Sequence, residues 1–138
     1  MLTRLTIHTT GPGLYEFARE IAAELSGQGD GLLTLFCQHT SASLTIQENA
    51  DPDVIRDLQA FFARLVPHAD DPAMSFLRHR TEGPDDQPAH IKSALTQVSL
   101  SIPVQDGRMM LGTWQGVYLF EHRDMPHTRH VVAQFMAS

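Results

Sequence analysis

The chain has 138 residues, 42% of them hydrophobic, and a formal net charge of −6 from 10 basic and 16 acidic side chains. That length fits one domain, residues 1–138, with one core. The acidic balance and lack of a basic run argue against nucleic acid or anionic membrane as partners. No apolar run approaches the ~18 residues of a bilayer-spanning helix. The single cysteine, Cys37, excludes an intramolecular disulfide and a cysteine zinc cluster.

Leu2 to His8 alternates as a strand does, with Leu5 and Ile7 against Thr6 and His8. No ordered signal-peptide features precede it, so the expected location is the cytoplasm. After the turn Gly11-Pro12-Gly13, the spacing of Leu14, Phe17, Ala18, Ile21, Ala22 and Leu25 predicts an amphipathic helix ended by Gly27 and Gly29. Gly31 to His39 reads as a central strand partly buried on both faces, and Ser43 to Glu48 as another strand. Asn49-Ala50-Asp51-Pro52 starts a helix whose apolar stripe runs from Val54 to Leu65 and which Pro67 stops. From His68 to Gln87 periodicity dissolves into a long loop, and loops of that length in compact domains carry function. Pro88 to Leu95 reads as a short helix. Strands then follow at Val98 to Ile102, Met109 to Thr113, Gly116 to Glu121 and Arg129 to Met136, with an Asp106-Gly107 hairpin turn after the first. The hairpin-length links late in the chain favour a largely antiparallel α+β fold over a doubly wound one.

Two polar blocks lie between these apolar segments. The first opens with His39 and continues through the hydroxyls of Thr40, Ser41, Ser43 and Thr45, which suit phosphate oxygens or water but also suit an ordinary polar strand face. His39 is equally open to a ligand role and to a plain strand-end position. Glu48, at a strand-to-helix junction, is the carboxylate favoured for cation binding or proton transfer. Asn49 could touch a substrate or cap the helix, and Asp51 and Asp53 favour capping. The second block holds the densest ligand-like set, His79, Glu82, Asp86 and His90. If the chain is helical from Asp86, that carboxylate and His90 are i, i+4 neighbours, and two or three neutral imidazoles with an open position would suit a divalent ion. The plainer alternative is a solvated acidic loop with incidental histidines, to which His68, His122, His127 and His130 are assigned. Lys92, the only lysine of the 10 basic residues, could reach a phosphate from the helix edge or simply be exposed. Two glycines bracket Thr113, Trp114 and Gln115, as at a bulge or a site wall.

Three blocks together resemble the YjbQ family: His39-Thr40-Ser41-Ala42-Ser43-Leu44-Thr45-Ile46-Gln47-Glu48-Asn49-Ala50-Asp51-Pro52-Asp53-Val54, then Glu82 to Lys92, then Leu111 to Leu119. The resemblance spans essentially the whole chain. It implies a two-sheet β-sandwich of about seven strands with two or three helices, assembled as a homotrimer. It also implies a thiamine-phosphate synthase activity, joining a pyrimidine pyrophosphate to a thiazole phosphate. On that reading His39, His79 and His90 hold a divalent ion, Zn²⁺ or Mg²⁺. Glu48, Asp86 and Lys92 are catalytic, and Thr40, Ser41, Ser43, Asn49, Thr113 and Gln115 meet the phosphorylated substrate. The alternatives are a trimeric module that binds metal or a phosphorylated ligand without chemistry, and histidines that are structural at a subunit interface.

Overall fold

Alternation of apolar and polar side chains builds two antiparallel sheets that bury one face each against the other. The structure, a computed structural model, describes residues 1–138. Its strands are β1 (Leu2–Thr9), β2 (Gly13–Glu16), β3 (Gly31–Cys37), β4 (Ala42–Glu48), β5 (Ser99–Gln105), β6 (Arg108–Met109), β7 (Gln115–Glu121) and β8 (His127–Ala137). Its helices are α1 (Ala18–Leu25), α2 (Pro52–Leu65) and α3 (Asp86–Leu95), with a 3₁₀ turn at Pro72–Met74. One sheet has the order β1-β8-β3-β5-β6 and the other β2-β7-β4. Every pairing is antiparallel. The fold is therefore the α+β sandwich expected, with eight strands where about seven were predicted.

The core lies between the sheets. Leu33, Leu35 and Cys37 of β3 meet Leu44 of β4, Val117 and Leu119 of β7, and Val131 and Ala133 of β8 in one cluster of 17 buried residues. Ile21 and Leu25 of α1, with Phe17 just before it, close one side. α2 and α3 pack against the three-stranded sheet. The other face of β3 is not buried as a central strand's would be: Leu32 and Phe36 are exposed, because nothing covers the outer face of the five-stranded sheet. Leu2 and Met136 lie exposed on it too.

Two predicted elements are corrected. The helix expected from Leu14 begins at Ala18, because Gly13–Glu16 pairs with Tyr118–Glu121 of β7 as an edge strand. Tyr15 anchors that edge by donating its hydroxyl hydrogen to the Gly11 carbonyl at 2.7 Å. The strand expected from Met109 to Thr113 pairs only over Arg108–Met109. Beyond it the chain turns, with the Gly112 amide donating to the Gln115 side chain at 2.7 Å.

Local chemistry accounts for the ends that position the site. Asp51 caps α2 by accepting the Asp53 amide at 2.9 Å, with Pro52 in the first turn. The Asp106-Gly107 turn has both residues at positive φ, 50° and 72°, as a two-residue hairpin with the right-handed strand twist requires. α3 starts at Asp86, two residues earlier than expected, and this places Asp86 and His90 one turn apart on one helix face.

Candidate functional site

The long loop before α3 folds back so that His79 and Glu82 meet the first turns of that helix. The ligand atoms of His79, Glu82, Asp86 and His90 lie within 4.8 Å of one another. His79 Nε2 stands 2.7 Å and His90 Nε2 3.0 Å from the same oxygen, Asp86 Oδ2. Around Zn²⁺ with bonds of about 2.1 Å, tetrahedral ligand atoms stand about 3.4 Å apart. The 2.7 and 3.0 Å contacts are shorter than that spacing and the set is bounded at 4.8 Å, so an ion would enter by spreading the two imidazoles from Asp86.

The hydrogen bonding of His90 shows what the centre lacks. Its Nδ1 lies 2.9 Å from the Thr40 carbonyl oxygen. A carbonyl only accepts, so Nδ1 carries the hydrogen. A neutral His90 then turns a bare Nε2 lone pair toward an oxygen of Asp86. Two lone pairs face each other, and a proton or a cation between them relieves the repulsion. Orienting an imidazole through its far nitrogen is also how proteins hold a metal-ligating histidine. The donor set of two imidazoles and two carboxylates thus fits a divalent transition metal. It fits Mg²⁺ less well, which takes oxygen ligands.

Arg123, which sequence reasoning did not single out, organises the carboxylates. Its Nε donates to Asp85 Oδ2 and its Nη1 to Asp86 Oδ1, each at 2.8 Å. The Asp124 amide adds a second bond to Asp85 at 2.9 Å. Burial pushes the carboxyl of Asp86 up. Hydrogen bonds with His79 and Glu82 and the charges of His90 and Arg123 outweigh burial and hold it below the usual carboxylate range. Asp85 is lowered in the same way: Arg123 and the Asp124 amide outweigh burial. Asp86, with a side chain 3% exposed, is therefore a carboxylate ready to meet a cation. The signal for Arg123 was present in Glu121-His122-Arg123-Asp124, a charged run closing the apolar strand Val117–Phe120.

His90 also borders an open groove of about 650 Å³ between the end of β3 and α3, with Phe36, His39, Thr40, Ala94 and Val98 among its walls. Behind it lies a buried ion pair. Glu121 and Arg129 have side chains 0% and 5% exposed, and Arg129 Nε donates to Glu121 at 2.7 Å. Arg129 also donates to Ser41 Oγ at 3.1 Å, and Thr9 donates to Glu121 at 2.7 Å.

The structure divides the residues predicted for the site. His79, Asp86 and His90 converge, but His39 does not join them: its Nε2 accepts the His130 amide at 2.8 Å, so that lone pair is already spent. Burial, then the charge of Arg129, pushes its pKa down. Thr40 contributes its carbonyl to His90, whereas Ser41 and Ser43 are buried and tied to Arg129 and His122. Glu48 faces outward enough to accept the Asp51 amide at 3.2 Å, next to Asn49. Gln115 pairs with Glu48 in the sheet, and Thr113 lies just beyond. These four sit at the far end of β4, roughly 20 Å from its His90 end at the ordinary strand rise. Within one chain they do not share a reacting group with Asp86. Lys92 lines a separate small chamber with His122, which is buried and not the incidental loop histidine expected.

The family model described as UPF0047 protein YjbQ-like matches residues 3–138. The chain belongs to that family. A UPF0047 protein of Synechocystis, sll1880, is 56% identical over 130 residues, covering 93% of this chain and 86% of the relative. YjbQ of Escherichia coli O157:H7 is 42% identical over 132 residues, 94% of this chain and 92% of its own. The crystal structure of a conserved hypothetical protein from Thermus thermophilus, TT1486, superposes with a TM-score of 0.85 at 38% identity, covering 97% of this chain and 99% of that one. These names carry no reaction, and the expectation of thiamine-phosphate synthase activity is corrected on that ground: the relatives are UPF0047 proteins without an assigned activity. Geometry points the same way, because Ser41 and Thr113, expected to meet one phosphate, lie buried under Arg129 and at the opposite end of the sheet.

Proposed function

We propose that the chain binds one divalent transition-metal ion of the Zn²⁺ type through His79, Asp86 and His90, with Glu82 on the solvent side. The bound ion would serve a reaction on a small molecule seated in the adjoining groove. The observation that carries this reading is the approach of two imidazole Nε2 atoms to one oxygen of Asp86, with Nδ1 of His90 already committed to Thr40. Such an ion, when bound, acts as a Lewis acid and lowers the pKa of water. The chain's own groups would orient and shield. Arg123 fixes Asp86, the Thr40 carbonyl fixes the plane of His90, and exposed Glu82 would close the ion's sphere from the solvent side.

Calorimetric titration of chelator-stripped protein with Zn²⁺, Mn²⁺ and Mg²⁺ tests the binding. One Zn²⁺ per chain is expected, weaker by at least tenfold in Asp86→Asn and His90→Ala. Absence of stoichiometric Zn²⁺ binding, or unchanged affinity in both variants, removes the metal from the account. Metal-dependent turnover on a panel of esters and phosphoesters, lost in His90→Ala, would separate an enzyme from a binding protein.

Self-association, expected as a homotrimer, is proposed through the uncovered face of the five-stranded sheet, where Leu2, Leu32, Phe36 and Met136 are exposed. A cytoplasmic location is proposed with it, in keeping with the free, buried thiol of Cys37.

A further inference from the structure

The walls of the groove beside His90 set the kind of molecule it can hold. Its volume of about 650 Å³ is room for a small ring system with a substituent. None of the nine residues in its walls is an aspartate, glutamate, lysine or arginine. The charged groups on the flanking elements are turned away or neutralised. Lys92 of α3 lines the separate chamber next to His122. Arg129 of β8 is buried and donates to Glu121 and Ser41. Asp86 is 3% exposed and held by Arg123.

The polar atoms of the walls are mostly spent. Ser93 donates its hydroxyl hydrogen to the Ala42 carbonyl at 2.8 Å. His90 has Nδ1 at the Thr40 carbonyl and Nε2 at Asp86, and His39 Nε2 takes the His130 amide. Burial, then the charge of Arg129, lowers the pKa of His39, which keeps that ring uncharged at neutral pH. What remains free is a neutral amide, Gln38, and a neutral hydroxyl, Thr40, both on exposed residues. Against these stand the aliphatic side chains of Ala94 and Val98 and three rings, Phe36, His39 and His90. His39 is braced from behind by His130, with ring planes 21° from parallel. An ionised group seated here would give up part of its hydration and find no counter-charge. A flat, uncharged ring would meet apolar and aromatic surface and two neutral hydrogen-bonding groups.

We propose that the groove seats an uncharged planar ring of the small molecule, with Gln38 and Thr40 hydrogen-bonding its rim. His90, shared by the groove and the metal cluster, then sets the other end of that molecule beside the ion. The seat for the ring stands without a metal; only the reach to the ion rests on the metal reading proposed above.

The test uses the full chain in excess EDTA, with Phe36 left unchanged because it also belongs to the sheet face proposed for self-association. Naphthamide, naphthoate and naphthyl phosphate share one ring and differ in charge. Each is titrated while NMR follows the methyl groups of Ala94 and Val98. Naphthamide should give saturable shifts of both, and the two anions should bind roughly tenfold or more weakly. Ala94→Phe fills the groove from an exposed helix position and should cost naphthamide roughly tenfold or more, with an unchanged melting temperature. The proposal is overturned if no naphthamide binding saturates, if either anion binds as tightly, or if Ala94→Phe binds as the parent does. A second arm replaces EDTA with one equivalent of Zn²⁺ and naphthamide with naphthohydroxamate, whose head chelates the ion. Tighter binding in the parent and not in Asp86→Asn supports the reach from ring to ion. Failure of that gain alone overturns the metal part and leaves the ring seat standing.

Discussion

Replacing Arg129 with Met exposes how much the buried pair behind the groove controls. The substitution keeps much of the side-chain volume but strips Glu121, which is 0% exposed, of both its guanidinium bonds, and it strips Ser41 of a donor at 3.1 Å. Removing one partner of a buried pair costs about 3–5 kcal/mol, because the remaining charge is uncompensated. For a chain of this length that is a fall in Tm of roughly 10–20 °C. The pH dependence gives a sharper sign. In the parent, burial raises Glu121, but bonds from Arg129, Thr9 and the Arg123 amide outweigh it and hold the carboxyl below its ordinary value of 4.5. The unfolded chain then binds the extra proton, so this stability is complete above about pH 4.5 and drains away as pH falls through the folded value. Without Arg129 the folded pKa rises relative to the parent's, because the Thr9 and Arg123-amide bonds are left to oppose burial alone. The variant therefore loses less stability from this group than the parent does as pH falls. Urea unfolding of parent and variant between pH 4 and pH 7 should show their gap narrowing toward acid. A cost under about 1 kcal/mol, or a gap that stays constant with pH, would refute the account of the pair. The double variant Glu121→Leu/Arg129→Met should recover much of the loss.

His122 supplies another pH signature. Burial, then the charge of Lys92, lowers it from 6.5 to about 3, so it folds neutral while the unfolded chain protonates. Stability should fall by about 1.4 kcal/mol per pH unit from near pH 6 toward pH 3, and His122→Gln, compared by the same unfolding series, should lack that slope. Gly107→Ala should cost about 1–3 kcal/mol, because φ is +72° and a Cβ would stand 2.8 Å from the Gln28 carbonyl and 2.9 Å from that of Leu25; thermal unfolding reads it. Phe36→Asp should dissociate the proposed oligomer in light scattering while leaving the fold intact by circular dichroism, since Phe36 is 49% exposed within the chain. An unchanged assembly would place the interface elsewhere.

Strand alternation and the Asp106-Gly107 turn made the antiparallel sandwich legible in the sequence, because each is a local rule that the fold obeys. The edge strand at Gly13–Glu16 was hidden because Leu14 and Phe17 satisfy helical spacing, and only pairing with β7 decides the matter. The cluster around Asp86 was legible because His79, Glu82, Asp86 and His90 fall close in sequence and the last two share a helix face. Grouping His39 with them failed because a spare lone pair cannot be read from sequence. The amide that takes it belongs to His130, 91 residues away. Arg123 was missed because its partners, Asp85 and Asp86, lie at the start of α3, far from it in sequence, and the chamber around His122 because its walls come from separate elements. Glu48 and Gln115 looked site-like through their polarity alone, and the length of β4 separates them from the cluster.

The central claim is that a cation belongs between His79, Asp86 and His90. Anomalous scattering at the zinc edge from crystals of the chain equilibrated with Zn²⁺ tests it most directly. The expected result is one strong peak per chain, about 2.0–2.2 Å from both Nε2 atoms and from an oxygen of Asp86. A map with no peak there, or with zinc bound only at other histidines, would contradict it.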